Sequence, residues 1–246
     1  MRKERDRTGQ FFVEGVRFVR AALETGAEIV TLITAPEQFD AARVRALPLG
    51  KICRGSAHLQ VSPTVLRWLA DREDTQGVGA VLCSRWERLE RASPAAGMGW
   101  VALDGIQYPG NLGTILRACD AVGCGGVILI GNTADPFDPI AVRASMGALF
   151  YVPVVRCSFE EFVAWTRRND VAVIGASPEA PVGYRQVGFR SPTVLFMGSE
   201  SKGLSPERQQ ICENVVRIPM VGRCDSLNVA MAAAVLLYEV YHQTMG

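Results

Sequence analysis

The sequence predicts an α/β protein: a carboxy-terminal parallel sheet covered on both faces, preceded by a smaller α/β unit. Three observations carry this. From residue 99 onward, short β-branched runs alternate with helical runs, the pattern of a layered α/β domain. Those short runs are apolar almost throughout, as strands buried on both faces are. The 246 residues are 48% hydrophobic and 21% charged, which fits a chain with a sizeable core and excludes wholesale disorder.

In the amino-terminal half, FVEGVRFVRAALETG places Val16, Val19, Ala22 and Leu23 at helical spacing, with Gly26 as a stop signal. EIVTLIT reads as a strand, PEQFDAARVRAL and SPTVLRWLAD as helices, and VGAVLC as a second strand. Periodicity is then lost in WERLERASPAAGMG. The reading divides the chain into an amino-terminal unit over 1–87, a linker over 88–98 and a carboxy-terminal domain over 99–246.

In that domain strands are expected at WVALD, GVILIG, FYVPVV, VAVIGA, TVLFMG and VVRIP. Helices are expected near LGTILRACDAV, PIAVRASMG, FEEFVAWTRR, SPERQQIC and SLNVAMAAAVLLYEVYHQ. Asp138-Pro139 and Ser205-Pro206 each set a capping residue before proline at the first helical position.

Several function classes start from a low prior. No apolar run approaches the roughly 20 residues of a membrane helix, and MRKERDRTGQ lacks the apolar segment of a secretory signal. The seven cysteines follow no CxxC or framework spacing, which reads as reduced thiols of a cytoplasmic protein without a zinc site. His58 and His242 lie too far apart in sequence to suggest a metal centre or a serine–histidine triad. The net charge is only +1, yet Arg2, Lys3, Arg5, Arg7, Arg17 and Arg20 crowd the first twenty residues. Arginine there suits phosphate contacts with a nucleic acid; a GC-rich genome accounts for it equally well.

Ligands of open α/β sheets bind beyond the carboxyl ends of the strands, so the loops after strands are the informative ones. After WVALD comes DGIQYPGNLGTILRACDAVGCGG, with Gly105, Gly110, Gly113, Asn111 just before a helix, and Arg117 about one turn along it. Its spacing is neither GxGxxG nor a P-loop, which disfavours dinucleotide and NTP sites. After TVLF comes FMGSESKGLSPE, a glycine-flanked loop holding Glu200. The third is IPMVGRCDSLNVAMAAAVLLYE, where Ser226 and Asn228 stand at a helix entrance and could simply cap it.

In this order and spacing, PGNLGTILRACDAVG, MGSESKGLS and IPMVGRCDSLNVAMAAAVLLYE resemble the three signature motifs of the SpoU-type (TrmH) RNA 2′-O-methyltransferases of the SPOUT superfamily. The resemblance spans roughly residues 99–246. It implies a trefoil-knotted α/β domain, a homodimer, S-adenosyl-L-methionine as donor and a ribose 2′-hydroxyl of structured RNA as target, with no metal. RDRTGQFFVEGVRFVRAAL and DTQGVGAVL are similar to the extra RNA-binding domain of many such enzymes, a domain resembling kink-turn-binding ribosomal proteins. Its presence leans toward rRNA; a tRNA 2′-O-methyltransferase, or a non-catalytic RNA-binding protein of the same fold, are the alternatives.

By the same resemblance, Gly198, Ile218 and Leu227 supply backbone contacts to the donor, with Met197 and Met220 nearby. Ser226, Asn228 and Glu200 order that pocket, Asn111 fixes the first loop beside the RNA, and Arg117 is the catalytic residue. Guanidinium is effectively never deprotonated in proteins, which sits badly with a base role for Arg117. A cation stabilising a developing alkoxide explains the same requirement.

Overall fold

The computed structural model describes residues 2–38, 47, 56–94 and 99–245. Its amino-terminal unit begins with a short helix, α1 (Arg2–Thr8), and a strand, β1 (Gln10–Glu14), neither of which the sequence pattern predicts. The helical periodicity across FVEGVRFVR misleads there. FVE ends β1, whose residues Phe11 and Val13 pair antiparallel with Leu82 and Ala80, and the helix α2 (Val16–Glu24) starts only after Gly15.

That start is built by side chains from far along the chain. Gln76 accepts from the Val16 N–H at 2.9 Å, and Glu14 accepts from the Gln76 N–H at 2.6 Å. Gly15, Gln76 and the Gly77-Val78 turn, weak signals in isolation, thus meet in one clamp, with the Gly15 N–H donating to the Val78 carbonyl. The strand β2 (Ile29–Thr34), the edge strand β3 (Ala57–Gln60), the helix α3 (Pro63–Ala70) and the strand β4 (Val78–Cys83) complete the unit, with strand order β1-β4-β2-β3. Of the helix expected over 36–47, only the 3-10 turn Pro36–Gln38 and Leu47 fall among the described residues; the rest lies outside them.

The carboxy-terminal sheet follows the predicted strands closely at β5 (Trp100–Asp104), β6 (Gly126–Ile130), β8 (Ala172–Ala176), β10 (Thr193–Met197) and β11 (Asn214–Arg217). β7 (Val154–Cys157) starts four residues later than FYVPVV suggests, because Ala148–Phe150 forms a 3-10 turn and Pro153 cannot donate to a ladder. A two-residue strand, β9 (Val182–Gly183), was not foreseen. The order is β7-β6-β5-β10-β8-β11-β9, and every paired neighbour is parallel.

Alternate residues of each strand serve opposite faces. Val101, Leu103, Val127, Leu129, Leu195 and Met197 pack toward the helices α4 (Pro109–Val122) and α8 (Val229–Met245). Trp100, Ala102, Ile128, Ile130, Val194 and Phe196 pack with Phe162 and Trp165 of α6 (Phe159–Arg168). Burying such side chains contributes about 1.5–3 kcal/mol each, so both layers are needed. Ser158 and Glu161 close a reciprocal cap at the start of α6.

Residues 88–94 run against the sheet. The Glu87 N–H donates to the Val154 carbonyl at 2.9 Å, buried Ala92 accepts from the Trp165 indole at 3.3 Å, and Ser93 accepts from the Trp100 indole at 2.7 Å. The two units share one apolar core, in which Phe11 and Val13 join Phe137, Leu149 and Val152. Among the described residues no helix is long and apolar enough to cross a membrane.

Candidate active site at the carboxyl ends of the strands

The loop after β5 enters α4 three residues earlier than expected. Pro109 occupies the first turn, so Asn111 lies inside the helix and is buried, 8% exposed, rather than preceding it. Sequence reading placed the helix start after Asn111 because the Pro-Gly-Asn run looks like a turn. In the fold, proline at the first helical position is compatible with helix, and the side chain of Asn111 is bonded on both sides.

Those bonds join all three motif loops. The Asn111 amide donates to Glu200 Oε1 at 2.9 Å, and Asn111 Oδ1 accepts from the Asn228 amide at 3.0 Å. Asn228 Oδ1 in turn accepts from the Ala230 and Met231 N–H groups at 2.9 and 3.4 Å, capping α8. The capping reading of Asn228 is therefore correct, and the same side chain also bridges to α4. Glu200 further accepts from the Gln107 N–H at 3.3 Å and, weakly, the Tyr108 N–H at 3.5 Å. Burial works against its charge, but the hydrogen bonds from Asn111 and these backbone donors outweigh it and hold the Glu200 carboxyl below its ordinary pKa.

Two glycines make this packing possible by close approach. A Cβ on Gly113 would lie 2.2 Å from the Ala141 carbonyl oxygen, so α4 touches the backbone of α5 (Pro139–Ser145) there. A Cβ on Gly198 would lie 2.1 Å from the Gly203 carbonyl carbon, inside the loop that Ser199 and Gly203 close with a 2.9 Å backbone bond. Both glycines serve backbone packing within the protein.

Arg117 projects from α4 into solvent, with no hydrogen-bond or ion-pair partner among the described residues. Within this chain, among the described residues, Arg117 is not a buried arginine paired with a carboxylate. Among the described residues neither Glu200 nor Asn228 hydrogen-bonds Arg117; both bond Asn111 on the helix that carries it. Ser226 is exposed at the entrance to α8 and makes no side-chain hydrogen bond among the described residues.

Several of the residues expected around the donor lie at the carboxyl ends of β10 and β11. Met197, 3% exposed, ends β10, and Gly198 follows it; Ile218 follows β11, with β8 between the two strands. Met220 and Leu227 are each 38% exposed, both within a run over residues 219–228 that is exposed throughout. No backbone-to-backbone hydrogen bond is made by residues 219–227 among the described residues. Free amides and carbonyls beside apolar Ile218, Met220 and Leu227 suit a ligand with one flat heteroaromatic ring and several polar edges, as S-adenosylmethionine has.

Sequence reasoning missed a second tie. Arg208, in the short helix α7 (Pro206–Gln209), donates from Nε to Asp104 Oδ2 at 2.7 Å, and its guanidinium lies 3.5 Å from the Phe159 ring centroid. It pins the end of the Glu200 loop to the end of β5. Asp104 and Arg208 are 104 residues apart, and no spacing rule connects them. The arginines of the first twenty residues are placed differently: Arg5 pairs with Asp135 and Asp138, while the more exposed Arg7 and Arg2 pair with Glu4 and Asp6 on their own helix. Arg17 and Arg20 remain exposed.

Comparison with known proteins agrees with the motifs. Residues 99–238 match the SpoU rRNA methylase family, and residues 1–80 match the MRM3-like substrate binding domain. A 23S rRNA (uridine(2479)-2′-O)-methyltransferase of Streptomyces viridochromogenes is 33% identical, covering 100% of this chain and 87% of that protein. The 23S rRNA (guanosine(2553)-2′-O)-methyltransferase RlmP of Bacillus subtilis is 29% identical, covering 97% and 91%. The crystal structure of an AdoMet-bound rRNA methyltransferase from Sinorhizobium meliloti superposes with a TM-score of 0.90 at 37% identity, covering 100% of this chain and 92% of that one. With its three motif loops joined through Asn111 and both regions matched, the chain belongs to the SpoU rRNA methylase family.

Proposed function

We propose that the protein transfers the methyl group of S-adenosylmethionine to a ribose 2′-hydroxyl of ribosomal RNA. The observation that carries this is the Glu200–Asn111–Asn228 network, which holds three loops together on the helix that bears an exposed arginine, unpaired among the described residues. S-adenosylmethionine, when bound, supplies an already activated methyl group on a sulfonium centre. The protein's part is then to orient the acceptor and stabilise charge on its oxygen. Ile218, Leu227 and the loop at Gly198 hold the donor, with Met197 and Met220 beside it. Arg117 reaches the ribose or its phosphate as a fixed cation, while Asn111, Glu200, Asn228 and Ser226 keep the loops in register. The amino-terminal unit, residues 1–87, holds the RNA.

The active form is a homodimer in the cytoplasm. One side of α8 is buried through Ala233, Leu236, Leu237 and Val240, yet Met231, Val235, Tyr238 and Tyr241 on another side stay exposed. An apolar stripe of that length suits a second copy of the chain rather than water. The trefoil knot of the family belongs to the same proposal: the chain leaves β11, passes through 219–227 and returns so that α8 lies against α4. Labelled methyl transfer to total RNA, followed by 2′-O-methyl mapping, is expected to mark a single rRNA ribose. A product in tRNA alone would replace rRNA with tRNA as the substrate; no transfer to any RNA would leave a non-catalytic binding protein.

A further inference from the structure

The amino-terminal unit is clasped to the catalytic domain by one largely buried arginine. The Arg5 side chain is 13% exposed; Nε donates to Asp135 Oδ2 at 2.8 Å and Nη2 to Asp138 Oδ2 at 3.0 Å. Each aspartate is itself fixed by its other oxygen. Asp135 Oδ1 accepts from the Phe137 N–H at 2.9 Å, and Asp138 Oδ1 accepts from the Ile140 N–H at 3.0 Å, capping α5. Such a fork has one geometry, unlike the exposed, local pairs of Arg2 and Arg7.

The surroundings extend the contact. Phe11 packs on Phe137 with ring centroids 4.9 Å apart, Trp86 meets Phe137 edge-on at 5.3 Å, and the Tyr151 hydroxyl donates to Glu24 at 2.6 Å. From the clasp the path to the site is short. Asp138 caps α5, α5 lies against α4 at Gly113, and Arg117 is one turn further along α4. A buried ion pair adds little net stability over an apolar pair, so its directional geometry is what Arg5 contributes here.

We propose that Arg5 is a positioning residue: by bridging Asp135 and Asp138 it sets the orientation of the amino-terminal unit, and so holds bound RNA in register with Arg117. This rests on the reading that the amino-terminal unit holds the RNA. In full-length Arg5→Gln, donor affinity and RNA affinity are expected to stay within about threefold of the unaltered protein. The single-turnover methylation rate, at saturating RNA and donor, is expected to fall about tenfold or more, because small misplacements of reacting groups are costly. Arg5→Lys keeps the charge but not the two-pronged fork, and is expected to fall between the two. An unchanged saturated rate in Arg5→Gln overturns the proposal. So does a variant that loses donor affinity and rate together, since that is the mark of general destabilisation. If Arg5→Gln fails to fold, an Asp138→Asn variant takes its place: a rate loss at saturation supports the clasp, and an unchanged rate overturns it. Absence of RNA methylation by the unaltered protein would instead overturn the functional reading, and this inference with it.

Discussion

Two carboxylates, one in each unit, tie distant segments together in similar ways yet end with opposite tendencies to ionise. Glu14 accepts from the Gln76 N–H at 2.6 Å, with Arg72 at 3.5 Å, and is only 9% exposed. Burial outweighs those partners and raises its pKa. Glu200 is more open to solvent and gathers the Asn111 amide and two backbone N–H groups, and its pKa is lowered. The number of donors and the degree of burial decide the result. Burial in the amino-terminal clamp disfavours the Glu14 charge, whereas the donors at the strand ends favour the charge of Glu200.

The largest effect that separates the two regions is expected at Arg117. Arg117→Ala and Arg117→Lys should remain folded and bind donor, while methyl transfer falls by at least about a hundredfold, the scale for losing a transition-state electrostatic contact. Near-normal single-turnover rates in Arg117→Ala would remove it from the catalytic machinery. Next comes Asn111→Asp, which sets a second carboxylate against Glu200. A loss of about ten- to a hundredfold is expected at neutral pH, partly recovered on acidification as one of the two carboxyls takes a proton. A flat pH–rate profile for that variant would show that Asn111 and Glu200 are not coupled.

Titration of Glu200 itself sharpens the comparison. Its folded pKa is depressed, so its stabilising contribution is complete above its unfolded pKa and is lost as pH falls through the lower folded value. NMR titration should find Glu200 still ionised where ordinary glutamates take up a proton. For Glu14 the sign reverses. Its folded pKa is raised, so its contribution is fullest below the unfolded pKa and declines as pH rises through the folded one. Glu14→Gln keeps an acceptor for the Gln76 N–H, and is expected to shift Tm by less than about 5 °C while flattening its pH dependence. A large loss of stability at neutral pH would show that the Glu14 charge, through Arg72, matters more than its hydrogen bond.

Local pattern sufficed for the class of fold and the three loops, because apolar runs of the right length and residues at strand ends are local properties. WVALD, GVILIG and TVLFMG became β5, β6 and β10 with at most one residue of error. It misjudged β1 and the start of α4, where a helical apolar period crosses Gly15 and where Pro-Gly-Asn opens a helix instead of a turn. Long-range folding alone sets which arginines are committed to ion pairs and which are exposed. Arg5 and Arg117 look alike in sequence, but Arg5 is locked between Asp135 and Asp138, and Arg117 is exposed on α4 with no such partner among the described residues. Long-range folding, too, brought Asn111 between Glu200 and Asn228, partners 89 and 117 residues away. Hydrogen bonds reach about 3 Å in space, whereas periodicity and capping signals reach a few residues along the chain, so no local pattern encodes such a meeting.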